Sequence, residues 1–173
     1  MSAGPHLAIV EAVLNPGRLA VVDAWSLGEV VGDVDLDAIA KRAARLCQTP
    51  VGLVTVLDSN RQWNVGRHGT TLDAVPVGLS LCAHVVAEGA MVVGDLRFDE
   101  RFAEHPLVVA EDGLRFYAGA PVSVDGEIVG AVAVADLRPR TLGPNGRPKL
   151  IALAQEASAV LSLRMLGAAS RPA

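Results

Sequence analysis

Residues 114–136 have the sequence LRFYAGAPVSVDGEIVGAVAVAD, in which two apolar runs flank the pair Asp125-Gly126. An Asp-Gly pair between two such runs is typical of a two-residue hairpin turn, because both turn positions take a positive φ. The second run, residues 128–135, carries no polar side chain, so its strand is expected to be covered on both faces. The stretch therefore predicts a buried antiparallel hairpin.

Hydrophobic periodicity predicts the other elements of the chain. Further strands are expected at residues 51–58, 61–67 and 91–93. Helices are expected at residues 36–47, 80–88 and 148–166. Because strands and helices do not alternate strictly, this order argues against a Rossmann sheet. It predicts an α/β (α+β) fold with a central, mainly antiparallel sheet of about five to six strands and helices on both faces.

Polar residues mark the ends of two of these helices. Asp33 or Asp35 can cap the first helix through its side-chain oxygen, and Ser80 can cap the second. Gly89 is suited to end the second helix. A chain of 173 residues is expected to form one domain. Residues 1–30 are expected to form an irregular or helical lead-in, residues 31–167 the single domain, and residues 168–173 a disordered tail.

Composition restricts the classes of function. The formal charge is −4 and the sequence has no run of Lys and Arg, which argues against nucleic-acid binding. The N-terminus lacks the basic region of a secretory signal, and no stretch approaches the roughly 18 apolar residues of a membrane span. Cys47 and Cys82 are too far apart for a disulfide framework or a zinc motif. We therefore expect a cytoplasmic protein that contacts neither membrane nor nucleic acid.

Familiar catalytic motifs are absent from the sequence. It contains no Gly-rich phosphate loop, no His-Glu-x-x-His pair and no Gly-x-Ser-x-Gly elbow. We therefore expect no enzyme activity, and we assign no catalytic residue and no metal ligand.

The segment Leu81-Cys82-Ala83-His84 is the one cluster that suggests chemistry. Cys82 and His84 are two residues apart and point in different directions on a regular helix, which argues against a shared metal ion. Two other interpretations stay open. Cys82 and His84 can be an ordinary core pair with the imidazole hydrogen-bonded to Ser80 or Glu88, or His84 can line a pocket.

Four aromatic residues are further candidates for a ligand pocket. Trp63, Phe116 and Tyr117 make up half of the six aromatic residues of the chain, and Phe98 lies in an irregular segment. Large side chains beside a sheet of small residues can line a cavity. The alternative for each of them is an ordinary place in the core.

Several stretches, in this order, resemble the GAF domain, a small-molecule-binding sensory module related to PAS domains. The resemblance covers residues 18–166 and is carried by residues 43–58, by Asp58-Ser59-Asn60-Arg61-Gln62-Trp63, by Leu81-Cys82-Ala83-His84 and by Arg115-Phe116-Tyr117-Ala118-Gly119-Ala120-Pro121, with a weaker match over residues 99–108. It implies a ligand cavity between one sheet face and residues 61–116. Lining residues are expected among Trp63, Cys82, His84, Phe98, Phe116 and Tyr117.

Members of this family bind cyclic nucleotides, haem, bilins or amino acids, and the resemblance does not identify the ligand or cofactor here. Bilin-binding relatives carry adjacent Cys and His residues, whereas Ala83 separates the pair in this chain. The resemblance implies a stand-alone sensor that binds an unidentified small molecule and signals through a dimer or a partner protein. The chain ends about seven residues after its last predicted helix, so we expect no attached output domain.

Two alternatives to the sensor remain open. One is a ligand-free dimerisation or scaffold module. The other is a redox enzyme like the free methionine-(R)-sulfoxide reductases, which share the fold and use several cysteines in the pocket loops. Only Cys82 lies in that region of this chain, so we expect no such activity.

The last predicted helix carries two apolar stripes. The first consists of Leu150, Leu153, Ala157 and Val160, and is enough to dock the helix on its own sheet. The second consists of Ile151, Ala154, Leu161 and Met165. The second stripe is expected to form a homodimer, and the alternative is that Leu7, Val10, Leu14 and Leu19 of the lead-in fold back and cover it.

Overall fold

The computed structural model describes residues 5–169 and contains one six-stranded antiparallel sheet. Its strands are β1 (Val51–Leu57), β2 (Arg61–His68), β3 (Ala74–Pro76), β4 (Met91–Val93), β5 (Phe116–Val124) and β6 (Glu127–Asp136). Their order across the sheet is β3-β2-β1-β6-β5-β4. The mainly antiparallel architecture predicted from the sequence is confirmed.

Helices cover both faces of the sheet, as predicted. They are α1 (Pro5–Val13), α2 (Pro16–Val22), α3 (Leu27–Val30), α4 (Val34–Cys47), α5 (Cys82–Glu88), α6 (Pro106–Val109) and α7 (Gly146–Ala169). Helices α4 and α7 share a core with one face, whereas α1 and α5 share a core with the other. Because α7 continues to Ala169, the tail predicted to be disordered from residue 168 is wrong at its first two residues, and its remainder lies outside the described residues.

The hairpin of β5 and β6 forms as its sequence predicts. Asp125 and Gly126 have φ angles of 51° and 79°, the positive values that a two-residue turn of this type requires. Strand β6 is paired on both edges, with β1 and β5, which makes it a central strand. Its buried residues therefore meet a helix layer on each face.

Helix α4 is capped at its start and packs closely on the sheet. The Asp33 carboxylate accepts hydrogen bonds from the backbone N–H groups of Asp35 and Leu36, so Asp33 is the cap. The helix then lies so close to the sheet that a side chain at Gly52 would collide with the carbonyl oxygen of Ala40. Glycine at this position allows the close approach of helix and strand.

The lead-in is helical and is tied to the sheet by one buried arginine. Only 2% of Arg18 is exposed. Its guanidinium donates to the carbonyl oxygens of Val13 at the end of α1 and of Leu57 at the end of β1, with Nη distances of 2.7 Å to each. A third, longer bond of 3.4 Å reaches the carbonyl of Val129. Arg18 therefore fixes α1 relative to β1 and β6.

The two-stripe prediction for the last helix is wrong. Ala154 and Leu161, assigned to the free stripe, are each 1% exposed and pack in the protein's own core. The buried face of α7 consists of Leu150, Leu153, Ala154, Ala157 and Leu161. Helix α1 does not supply the cover, since it packs against α5 on the opposite face. Residues of both predicted stripes therefore belong to one broad buried face of α7.

Over Gly146–Ala168, α7 also has the length and mean hydropathy, 1.3, of a helix that could cross a membrane. The sequence prediction that no stretch approaches this composition is therefore wrong. A core helix passes the same test, and the buried face of α7 lies against β5.

Candidate functional site

A cavity of about 690 Å³ lies between α1 and α5. Its volume falls within the range of small-molecule pockets, roughly 300–1,000 Å³. Residues from three parts of the chain line it: His6, Ile9, Val10, Val13 and Leu14; Ser59, Val77, Gly78, Ser80, Ala83 and His84; and Glu100, Arg101 and His105. Most of the second and third groups lie within residues 61–116, where the sequence predicted the pocket.

Helix α1 forms one wall of this cavity and is anchored beside it. Ile9 and Val13, four residues apart on one helix face, are buried in the same core as α5. Val10 and Leu14 also line the cavity but are 37% and 46% exposed. The wall is thus an apolar surface that the protein itself covers only in part.

The opposite wall contains His84, which has an unsatisfied ring nitrogen. Its imidazole packs edge-on against Phe102, with 4.6 Å between ring centroids. Nδ1 is buried without a hydrogen bond among the described residues, and the nearest oxygen of Glu88 is 3.9 Å away. Burial lowers the pKa of His84, so the ring is neutral at pH 7.

Arg101 brings a cation to the rim, but its charge is already neutralised. Its guanidinium donates to both carboxylate oxygens of Asp99, at 2.9 and 2.7 Å, and to Glu88 at 2.7 Å. These two carboxylates raise the pKa of Arg101. Arg101 therefore links Glu88 of α5 to Asp99 in the segment before α6.

His105 has a structural partner as well. Its Nδ1 accepts a hydrogen bond of 3.1 Å from the backbone N–H of Leu107 and so caps α6. An acceptor Nδ1 places the ring proton of the neutral imidazole on Nε2. Burial lowers the pKa of His105, which favours this neutral form.

A buried chain of polar side chains leads from the cavity into the sheet. Ser80 accepts from the N–H of Ala83 at the start of α5 and donates to Gln62 Oε1 at 2.6 Å. Gln62 donates to Asn64, which in turn donates to the carbonyl of Leu72. Helix α5 begins at Cys82, so its cap position is Leu81 and not Ser80 as predicted, although the Ser80 hydroxyl accepts from the Ala83 N–H. The chain of amides behind Ser80 joins α5 to β2.

The six predicted pocket residues are not brought together, and only His84 lines the cavity. Trp63 and Phe116 belong to the core on the other sheet face, which corrects their assignment to this pocket. Alternation along β5 explains Phe116, since Tyr117 occupies the cavity-side face. Phe98 is 83% exposed and stacks with Arg97, which corrects its assignment too.

Cys82 and Tyr117 form a buried pair in the core that also contains the α1 wall. The Tyr117 hydroxyl donates to Cys82 Sγ at 3.1 Å, and both residues are at least 97% buried. Burial raises the pKa of the Cys82 thiol, and burial also raises that of the Tyr117 hydroxyl. The sequence analysis expected these two side chains to line a cavity, whereas in the structure they pack against each other. A role of either residue in ligand binding stays a prediction.

Within residues 5–169, no three His, Cys, Asp or Glu side chains are grouped to hold a metal ion. The sequence analysis missed the α1 wall, Arg101 and His105. The spacing of Ile9 and Val13 was a signal for the first, because apolar residues at i and i+4 share a helix face.

Comparisons with known proteins identify the same family that the sequence resembles. A family model described as the GAF domain matches residues 33–165. A cyclic di-GMP phosphodiesterase of Pseudomonas aeruginosa is 36% identical over 125 residues, which are 71% of this chain and 21% of the relative. The chain thus spans about a fifth of the length of this curated relative.

Two solved structures share the fold at low sequence identity. The GAF domain of an Acinetobacter phosphoenolpyruvate-protein phosphotransferase superposes with a TM-score of 0.63 at 17% identity, covering 95% of this chain and 97% of that one. A free methionine-R-sulfoxide reductase of Neisseria meningitidis superposes with a TM-score of 0.58 at 18% identity, covering 97% and 95%.

Proposed function

The chain belongs to the GAF domain family, and from that premise we propose that it is a sensory module that binds a small molecule in the cavity between α1 and α5 and catalyses no reaction. The cavity carries this proposal. It has the volume of a ligand site, and the apolar side chains of Val10 and Leu14 in its wall are left partly uncovered.

The state of the two thiols supports the non-enzymatic part of the proposal. A thiol catalyst needs an accessible thiolate of low pKa and a second thiol to resolve its oxidised form. Cys82 and Cys47 are both buried, and burial raises the pKa of each. Cys47 lies in the core on the other face of the sheet. The two thiols therefore give no support to a sulfoxide reductase activity, and the likeness to a reductase of that type concerns the fold alone.

We further propose that the signal leaves through a partner protein or through a second copy that pairs with α7. The exposed side chain of Leu163, 63% accessible on the last turns of the helix, supports a contact there. The curated relative is several times longer than this chain, which is consistent with a module that regulates other domains.

Native mass spectrometry and an absorption spectrum of freshly purified protein test the binding function. We expect a retained small molecule or a visible band in the wild type. Gly78→Leu should abolish retention, because Gly78 lines the cavity and a side chain there meets no atom within 4 Å. Gly143→Leu is the matched control, since it has equal room in a distant loop. If wild type and Gly78→Leu do not differ, the ligand-free scaffold becomes the better explanation.

A further inference from the structure

The following inference rests on the proposed binding function and concerns the ligand of the same cavity. We propose that the cavity takes an uncharged, mainly apolar small molecule whose body lies along α1.

The wall chemistry is apolar on the α1 side. Ile9, Val10, Val13 and Leu14 all face the cavity, and Val77 and Ala83 face it from the α5 side. Val10 and Leu14 keep more than a third of their surface exposed there. Covering such surface is favourable for an apolar ligand and unfavourable for a strongly hydrated one.

The arginine at the rim already has two carboxylate partners. Among the residues described, Arg101 is the lysine or arginine side chain that lines the cavity, and its donors are engaged by Asp99 and Glu88. Partial burial lowers the pKa of His84 and of His105, which favours their neutral forms at pH 7. An anionic ligand would therefore meet a cation whose charge Asp99 and Glu88 already balance, so it would gain little from this contact.

The start of α5 does not provide an anion site either. Its seven residues form a short helix, and the Ser80 hydroxyl already accepts from the Ala83 N–H. Glu100 lines the cavity but is exposed to water, so its charge is screened and does not select a buried cation. Neutral ligands remain as the class that the site fits.

The apolar wall is built by a part of this chain that the family match does not include. The match begins at residue 33, whereas five of the lining residues lie between residues 6 and 14. Arg18 holds this segment in place through the carbonyls of Val13 and Leu57. The ligand preference is therefore a property of the lead-in and the domain together.

Two matched fluorescent probes test the inference on the full chain. N-phenylnaphthylamine is neutral, and anilinonaphthalene sulfonate has the same aromatic frame with one negative charge. We expect the neutral probe to bind the wild type with a dissociation constant at least about tenfold lower than the sulfonate. Gly78→Leu should weaken the neutral probe by about tenfold or more, and Gly143→Leu should leave it unchanged within about twofold.

Val10→Asp provides a second variant in case Gly78→Leu perturbs the fold, because Val10 lies on a partly exposed face of α1. It places a carboxylate in the wall and should also weaken the neutral probe about tenfold while the circular dichroism spectrum stays unchanged. Equal or tighter binding of the sulfonate by the wild type would overturn the inference. Neutral-probe binding that ignores both cavity variants would overturn it as well.

The outcomes distinguish this inference from the proposed function. If the purified protein retains a nucleotide or an amino acid and Gly78→Leu releases it, the sensor function stands and the neutral-ligand inference falls. If nothing is retained and neither probe responds to the cavity variants, both fall together.

Discussion

The guanidinium of Arg18 is buried among backbone carbonyls, and no carboxylate of residues 5–169 forms an ion pair with it. Burial lowers its pKa, and Asp23, Asp58 and Glu127 oppose that effect from a distance. Its bonds join the end of α1 to the end of β1, so this one side chain fixes the wall of the cavity. A charge in such a position needs all of its hydrogen bonds, because unsatisfied buried groups are costly.

Arg18→Met should lower the free energy of unfolding by about 2–4 kcal/mol, since it removes the donors to three buried carbonyl oxygens. Urea unfolding followed by circular dichroism measures the change. Arg45→Met, at an exposed position on α4, is the control and should change stability by less than about 0.5 kcal/mol. Equal changes in the free energy of unfolding for the two substitutions would show that the buried hydrogen bonds of Arg18 do not stabilise the fold.

The two thiols should be inert in the folded protein. Cys47 and Cys82 are 7% and 2% exposed, and burial raises the pKa of both. An aromatic disulfide reagent at pH 8 should therefore modify neither thiol in the native state and both in denaturant. The protein should also fail to reduce free methionine sulfoxide. Turnover that disappears in Cys82→Ser would prove this prediction wrong.

His84 should make the fold less stable as the pH falls. Burial lowers its pKa below the ordinary value of 6.5, so the unfolded chain takes up its proton at a higher pH than the folded chain. The free energy of unfolding therefore decreases as the pH drops from 7 through 6.5. Asp33 and Asp58 act in a separate window, because their lowered pKa values start from 3.8.

Unfolding curves measured between pH 7 and pH 5 test this dependence. His84→Gln should reduce the loss of stability in that range, and a part should remain because burial lowers the pKa of His105 as well. An unchanged pH dependence in His84→Gln would show that another group is responsible.

At the scale of elements, α5 depends on the hydroxyl of Ser80. Ser80→Ala leaves the Ala83 N–H uncapped and Gln62 Oε1 without its donor, both in buried positions. We expect a loss of about 1–3 kcal/mol in chemical denaturation. The control is Ser162→Ala, where the hydroxyl bonds back to Ser158 within α7 and its loss should be nearly neutral. A similar loss of stability in both variants would show that the Ser80 hydroxyl has no special role in stabilising α5.

The elements that sequence alone predicted well are those with local causes. The turn at Asp125-Gly126, the cap at Asp33 and the helix end at Gly89 each follow from one or two residues. The helical lead-in was harder, because its place depends on Arg18 reaching carbonyls 39 and 111 residues away. No local pattern contains that information.

The candidate site was predicted in its region but not in its residues. Aromatic side chains suggested pocket walls, yet Phe116 turned to the other sheet face and Phe98 to solvent. Aliphatic residues of α1 form the wall instead. The packing of two elements decides which apolar residues border a cavity. A sequence pattern shows only that these residues are apolar.

At the scale of the whole molecule, the two faces of the sheet carry different helices. One face carries α4 and α7 and a core continuous with α3. The other carries α5 and α1 and borders the cavity. A ligand bound beneath α1 and a partner bound along α7 would therefore act on opposite faces, joined through the central strands β1 and β6.

Pairing of two copies through α7 is tested best at Leu163, because Leu161 serves the core. Leu163 is 63% exposed and Leu161 is 1% exposed, although they are two residues apart. If α7 pairs, Leu163→Glu should convert a dimer into a folded monomer in sedimentation velocity at tens of micromolar. Leu161→Glu should instead destabilise the chain in either oligomeric state, because it buries a carboxylate in an apolar core. A wild type that already sediments as a monomer would end the dimer proposal, and the loss of stability in Leu161→Glu alone would still be expected from its burial.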